Sequence, residues 1–243
     1  MKRHAKIASV LVVVAGVMLT TSALAQYNTP SPNLPPPAPY FGPPTPFTFE
    51  SAALTNAGIA SVYLYDLQHI PGNLAGTPQE FNAGLPNEYY QETFHSTLRG
   101  MATATLLGGG TMTGTLTAPV SGESVTVDIY GYTTSGATGG WNTSLSILNW
   151  PGQIAWNGDG TNNIWLQCQA APGYTTVETS EPGYAITSYF DVTPQISLDD
   201  SVWTTADQSG DMTLVPEPSS LALLCLGVLS LAIMTRGKGF LTS

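Results

Sequence analysis

The chain has 243 residues and a formal net charge of −10, and only 9% of its residues are charged. Arg99 is the only Lys or Arg between Gln26 and Val215, a stretch that holds fifteen of the sixteen acidic residues and carries a net charge near −14 with histidine neutral. Such a body has no cationic surface for phosphates, which excludes nucleic acid as a partner, and anionic lipid headgroups would repel it.

At the N-terminus, Met1-Lys2-Arg3-His4-Ala5-Lys6 is a basic start, followed by an apolar run over residues 7–19. Ala23-Leu24-Ala25 then supplies a small-x-small cleavage site. The pattern is that of a signal peptide over residues 1–25, expected as an N-terminal signal helix and cut between Ala25 and Gln26. Residues 26–46 follow as a proline-rich linker, with nine prolines among the twenty residues from Tyr27 to Pro46. Proline has no N–H to give to a helix or sheet ladder, so an extended polyproline II spacer is expected here.

The body, residues 47–214, reads as strand after strand. Val125, Val127 and Ile129 alternate with polar residues, and Tyr184, Ile186, Ser188, Phe190 and Val192 share a second apolar face. Residues 60–65, 144–148 and 164–170 add further strands, while a short helix is expected around residues 88–94. Turn-forming clusters separate the strands: residues 108–110, 121–122, 135–140, 157–160 and Pro172-Gly173. Many short strands between frequent turns predict an all-β, antiparallel β-sandwich or jelly-roll-like body. Cys168 is the body's only thiol, so no disulfide forms within it; the alternation around it makes it a small buried hydrophobe rather than a nucleophile.

Three patterns in the body are candidates for chemistry. Thr111, Thr113, Thr115 and Thr117 occupy one face of a strand, where they either order water, bind a repetitive surface or simply face solvent. Trp141, Trp150, Trp156 and Trp165 fall among amides such as Asn142 and Gln167. Indole faces stack on sugar C–H faces and amides bind hydroxyls, so a glycan contact is one reading and core packing is the other. Asn157, Asp159 and Thr161 place oxygens at alternate positions, as a calcium loop does. The EF-hand pattern fails, because Asn162 stands where it needs glycine and Cys168 where it needs glutamate. A hairpin turn is the stronger reading of the same residues. No catalytic motif is present: no nucleophile elbow, zinc helix or phosphate loop. His69 and His95 lie 26 residues apart in unlike settings, which speaks against a catalytic pair. No cofactor is expected, with Ca2+ the one ion the loop could hold.

The C-terminus mirrors the N-terminus. Pro216-Glu217-Pro218 leads into residues 221–234, which carry no charge, and Arg236 and Lys238 form a basic tail. The run is short against the roughly 20 residues of a spanning helix. Ser219, Ser220 and Thr235 extend it, and the basic residues snorkel, so a C-terminal hydrophobic helix that anchors the chain in the membrane is expected. Residues 215–243 thus resemble the PEP-CTERM sorting signal of bacterial exported proteins. The resemblance implies an exosortase-type processing enzyme as partner. It also implies a transient membrane anchor and a final place at the cell surface or outside the cell.

Together these features point to an exported, non-catalytic surface or extracellular-matrix protein. One alternative is a carbohydrate-binding module for matrix polysaccharide. A second is a secreted hydrolase acting through two carboxylates, which need only be close in space.

Overall fold

The computed structural model describes residues 27–29, 38–74, 78–118, 124–132, 138–158, 160–180 and 183–215. Among them are fourteen strands and one short helix. The strands are β1 (Tyr27–Thr29), β2 (Tyr40–Phe41), β3 (Phe47–Phe49), β4 (Ile59–Leu74), β5 (Gln79–Phe81), β6 (Tyr89–Leu106) and β7 (Thr111–Ala118). They continue with β8 (Ser124–Tyr130), β9 (Gly139–Trp156), β10 (Gly160–Ser180), β11 (Gly183–Val192), β12 (Gln195–Ser197), β13 (Thr204–Thr205) and β14 (Gly210–Leu214). The helix, α1 (Ala52–Asn56), is capped by Ser51, whose Oγ accepts from the Leu54 N–H at 3.2 Å.

Every pairing is antiparallel, and all fourteen strands belong to one sheet. Its ladder closes on itself. From β11 it passes to β14, β2, β4 and β6; β7 and β8 both bridge β6 to β9; β9 pairs with β10, which returns to β11. Closure removes the open edges that would otherwise pair with other chains. The short strands β1, β3, β5 and β12 pair with members of this ring without being links in its closed path, and β13 pairs with β12.

The ring encloses a core whose largest fully buried side chains include Trp150, Tyr40, Phe47, Phe49 and Leu64. The expected inward faces are the observed ones. Val125, Val127 and Ile129 are buried on β8, as are Ile186, Ser188, Phe190 and Val192 on β11. Cys168 is buried too, and burial pushes its thiol pKa up. Residues 1–25 and 216–243, where helices were expected, lie outside the described residues.

Three expectations change. Residues 88–94 do not form a helix: β6 starts at Tyr89 and pairs with β5 and β8. Cross-strand partners supply what a local helix could not, among them a 2.9 Å hydrogen bond from Gln91 Nε2 to Asp128 Oδ1. The proline-rich stretch is not a spacer throughout, because Tyr27–Thr29 pairs with β11 and Tyr40–Phe41 joins β14 to β4. Proline removes only its own N–H; Tyr40, Phe41 and Gly42 keep theirs, and Gly42 donates to Leu67 O at 2.8 Å. Pro172-Gly173 is not a turn but lies inside β10, just after a bulge at which Ala170 takes φ of 49°. Gly173 is needed there for closeness: a Cβ would run into the carbonyl of Tyr189 and the ring of Phe190.

Candidate functional site

The four tryptophans do not converge. Trp150 and Trp156 point inward and are buried, with Trp150 edge-on to His69 at 5.9 Å. Trp141 packs partly against the core and meets Tyr132 edge-on at 5.0 Å. Trp165 is half-buried on the outer side of β10, opposite Pro151, whereas Trp141 is opposite Thr175. Ten residues of β9 separate those two rungs, roughly 30 Å of strand. A glycan stacked on all four rings has no surface to lie on. The alternation of β9 and β10 is what divides the rings between the two faces.

β9 and β10 pair up to the expected hairpin, where Trp156 is opposite Gly160. Gly158 and Gly160 take φ of 91° and 79°, the left-handed values that glycine reaches without strain. Asn157 is tied down from its side, with Nδ2 donating to Thr113 Oγ1 at 3.1 Å and its N–H to Thr113 O at 2.9 Å. Thr161 stands on the outer face of β10 opposite Ala155, in the ladder rather than curled round an ion, while Asp159 lies outside the described residues. Among the described residues no group of three His, Cys, Asp or Glu side chains is placed to hold a metal.

At the C-terminal end of the fold, β14 is wedged between β11 and β2. Thr213 faces Tyr189 on one side and Phe41 on the other, and Leu214 is opposite Tyr40. Met212 and Leu214 are buried. Beyond them the Val215 N–H donates to Pro39 O at 3.3 Å, the last backbone bond before Pro216, which has no N–H with which to continue a ladder. Further along the same flank of β11, Tyr27 occupies the rung at Ile186. The described N-terminal strand and the exit of the last strand are therefore three residues of β11 apart, roughly 10 Å.

At this exit the family model for the PEP-CTERM protein-sorting motif matches, over residues 214–237. The chain carries a PEP-CTERM protein-sorting motif. A motif of this kind suggests an exported protein sorted by an exosortase. It begins at Leu214, the last residue of the last strand, so the PEP-CTERM signal follows the folded body with no intervening linker. Pro216, Glu217, Pro218, Arg236 and Lys238 lie outside the described residues, as do Ala23, Ala25 and Gln26. Among the described residues no helix is long and apolar enough to cross a membrane. The body matches no other family, and no curated protein or solved structure matches the chain.

Inside the ring lies a polar cluster that the sequence reading missed. Glu92 is buried, its Oε2 has no hydrogen-bond partner among the described residues, and burial pushes its carboxyl up to about 8. Tyr40 faces it and bonds to Ser188, which is 2.8 Å from Thr175 Oγ1. Burial lowers His69 to about 4 and keeps it neutral. A signal was there to read: Tyr90 and Glu92 alternate on one face of a strand, which places the acid inside. The helix expected over this segment hid it.

Asp191 and Asp211 stand opposite each other on β11 and β14, on the outer side of the sheet. The groove beside α1, about 420 Å³, holds Asp199. Its Oδ1 is already taken by the Ser201 and Val202 N–H groups, both at 3.0 Å, and by the Ser197 hydroxyl.

Proposed function

We infer that this chain is an exported, non-catalytic surface or matrix protein, delivered and processed through its C-terminal signal. The observation that carries this reading is the position of the PEP-CTERM match, which opens at the last residue of β14. The folded body would be complete up to that residue, so cutting beyond it removes nothing from the core. The placement of the two ends supports the same reading. With β1 and the exit of β14 roughly 10 Å apart on β11, both hydrophobic segments would reach one membrane surface from one side of the body. The remaining surface, rich in carboxylates, would be held away from anionic headgroups.

The anchor is tested by deletion. A chain lacking residues 221–243 is expected to leave the envelope and accumulate in the medium, folded, because no described strand is lost. If the truncated chain stays fixed in the envelope like the full-length one, residues 221–243 are not the anchor.

A further inference from the structure

The threonine row of β7 is one line of a larger platform. On β4, β6 and β7, Tyr63, Thr103 and Thr113 stand opposite one another, and Tyr65, Met101 and Thr115 form the next rung. Across β7, Thr115 faces Ala155 and Thr117 faces Gln153 of β9. Those residues face Thr161 and Asn163 of β10 in turn. All of these side chains are on the outer side, exposed or half-buried, while Ala102, Ala104, Leu116 and Ile154 alternate with them into the core. From Leu98 to Thr105 the β6–β7 register runs without a bulge, as does the β7–β9 register, so this part of the sheet is even. Five strands at about 4.8 Å give a face roughly 19 Å across, with side chains about 6.7 Å apart along each strand.

The platform differs from the rest of the body in charge. Among the described residues no acid lies on these rungs in a body near −14, and Arg99, exposed opposite Thr117, is the one charged side chain on them. Apart from Arg99, the rungs present hydroxyls, amides, two tyrosine rings and the apolar Met101 and Ala155. Hydroxyls give and accept hydrogen bonds, and the rings offer a flat partner to C–H faces. A polyanion would be repelled by the body around the face, and a polycation would settle on the carboxylates elsewhere. Building on the surface-protein reading above, we propose that this face binds a neutral polysaccharide laid flat across β4, β6, β7, β9 and β10. The four tryptophans, divided between the two sides of the sheet, are not the contact. The threonine and tyrosine rungs are.

The test is retention of the purified secreted chain on two insoluble neutral polymers, microcrystalline cellulose and a β-1,3-glucan, with and without chelator and at two salt concentrations. The wild-type chain is expected to be retained on at least one, and retention should change little with salt or chelator. Thr115→Glu puts a charge at the centre of the face and should lower retention at least fivefold. Thr213→Glu, exposed on β14, should leave retention unchanged. Melting temperature checks that each variant folds, and Thr117→Glu replaces Thr115→Glu if the latter melts early. Retention on neither polymer overturns the proposal, as does equal loss in Thr115→Glu and Thr213→Glu. A dimer that Thr115→Glu dissolves in the absence of polymer would give the face to a second copy and overturn it as well. Because retention is measured on purified chain, its failure is distinct from a failure of anchoring in the deletion experiment.

Discussion

Trp150→Ala is expected to cost about 3–5 kcal/mol, which in a domain of this size lowers the melting temperature by roughly 10 °C or more. Trp150 is 1% exposed at the centre of the ring. It borders a cavity of only about 40 Å³ together with Leu67, Leu98, Leu166 and Met212. Its neighbours belong to β4, β6, β10 and β14, four separate strands of the closed ladder, so they cannot collapse into the space an alanine leaves. Trp165→Ala, by contrast, removes a half-buried ring from the outer side of β10 and is expected to cost about 1 kcal/mol. Thermal unfolding of the two variants measures the difference. Equal losses would mean that Trp150 is not the packing centre described.

The stability of the body is expected to fall by about 2 kcal/mol between pH 6.5 and 8, and Glu92→Gln is expected to abolish that fall. Burial raises the folded-state pKa of Glu92 from 4.5 to about 8. The folded protein therefore binds this proton more tightly than the unfolded chain. The stability this gives is full below pH 4.5 and is lost as pH rises to about 8. His69 has the opposite sign: burial lowers it from 6.5 to about 4, so its contribution is full above 6.5 and is lost as pH falls towards 4. Between 4.5 and 6.5 the two slopes oppose each other and stability is nearly level. Above 6.5 only the loss from Glu92 remains. Glutamine keeps the shape and is neutral at every pH, so the variant should melt at the same temperature at pH 6.5 and 8, where the parent drops by roughly 4–8 °C. An undiminished drop in Glu92→Gln would assign the slope to other groups.

How much of this was legible in the sequence depends on whether the deciding contact is local. The faces of β8 and β11 follow from two-residue alternation at Val125, Val127 and Ile129 and at Ile186, Phe190 and Val192, and the hairpin at Asn157 follows from its glycines. These are near-neighbour rules. The strand at Tyr89–Leu106 was not legible, because it is held by β5 and β8 across long loops and its polar run resembles a helix. Nor was β2, two residues between prolines, whose buried Tyr40 is placed by His69 and Leu214 from distant strands. Closure of the ladder through β10 and β11 is non-local in the same way. It needs Gly173 pressed against Tyr189 and Phe190, in a Pro-Gly pair that reads locally as a turn. Of the candidate sites, the C-terminal signal was legible because it is a contiguous motif that needs no fold. The tryptophan cluster was misleading because closeness in sequence says nothing about which side of a strand each ring takes. The threonine platform was half visible: one row is sequence, but its neighbours Thr103, Tyr63 and Thr161 are tertiary.

The central claim, that the chain is exported and sorted through its PEP-CTERM signal, is tested most directly by intact-mass analysis of the form recovered outside the inner membrane. The expected product begins at Gln26 and ends upstream of residue 221, with the described body from β1 to β14 entire and any surface attachment read as added mass. An exported form whose mass runs from Met1 to Ser243 would contradict both cleavages and the account built on them.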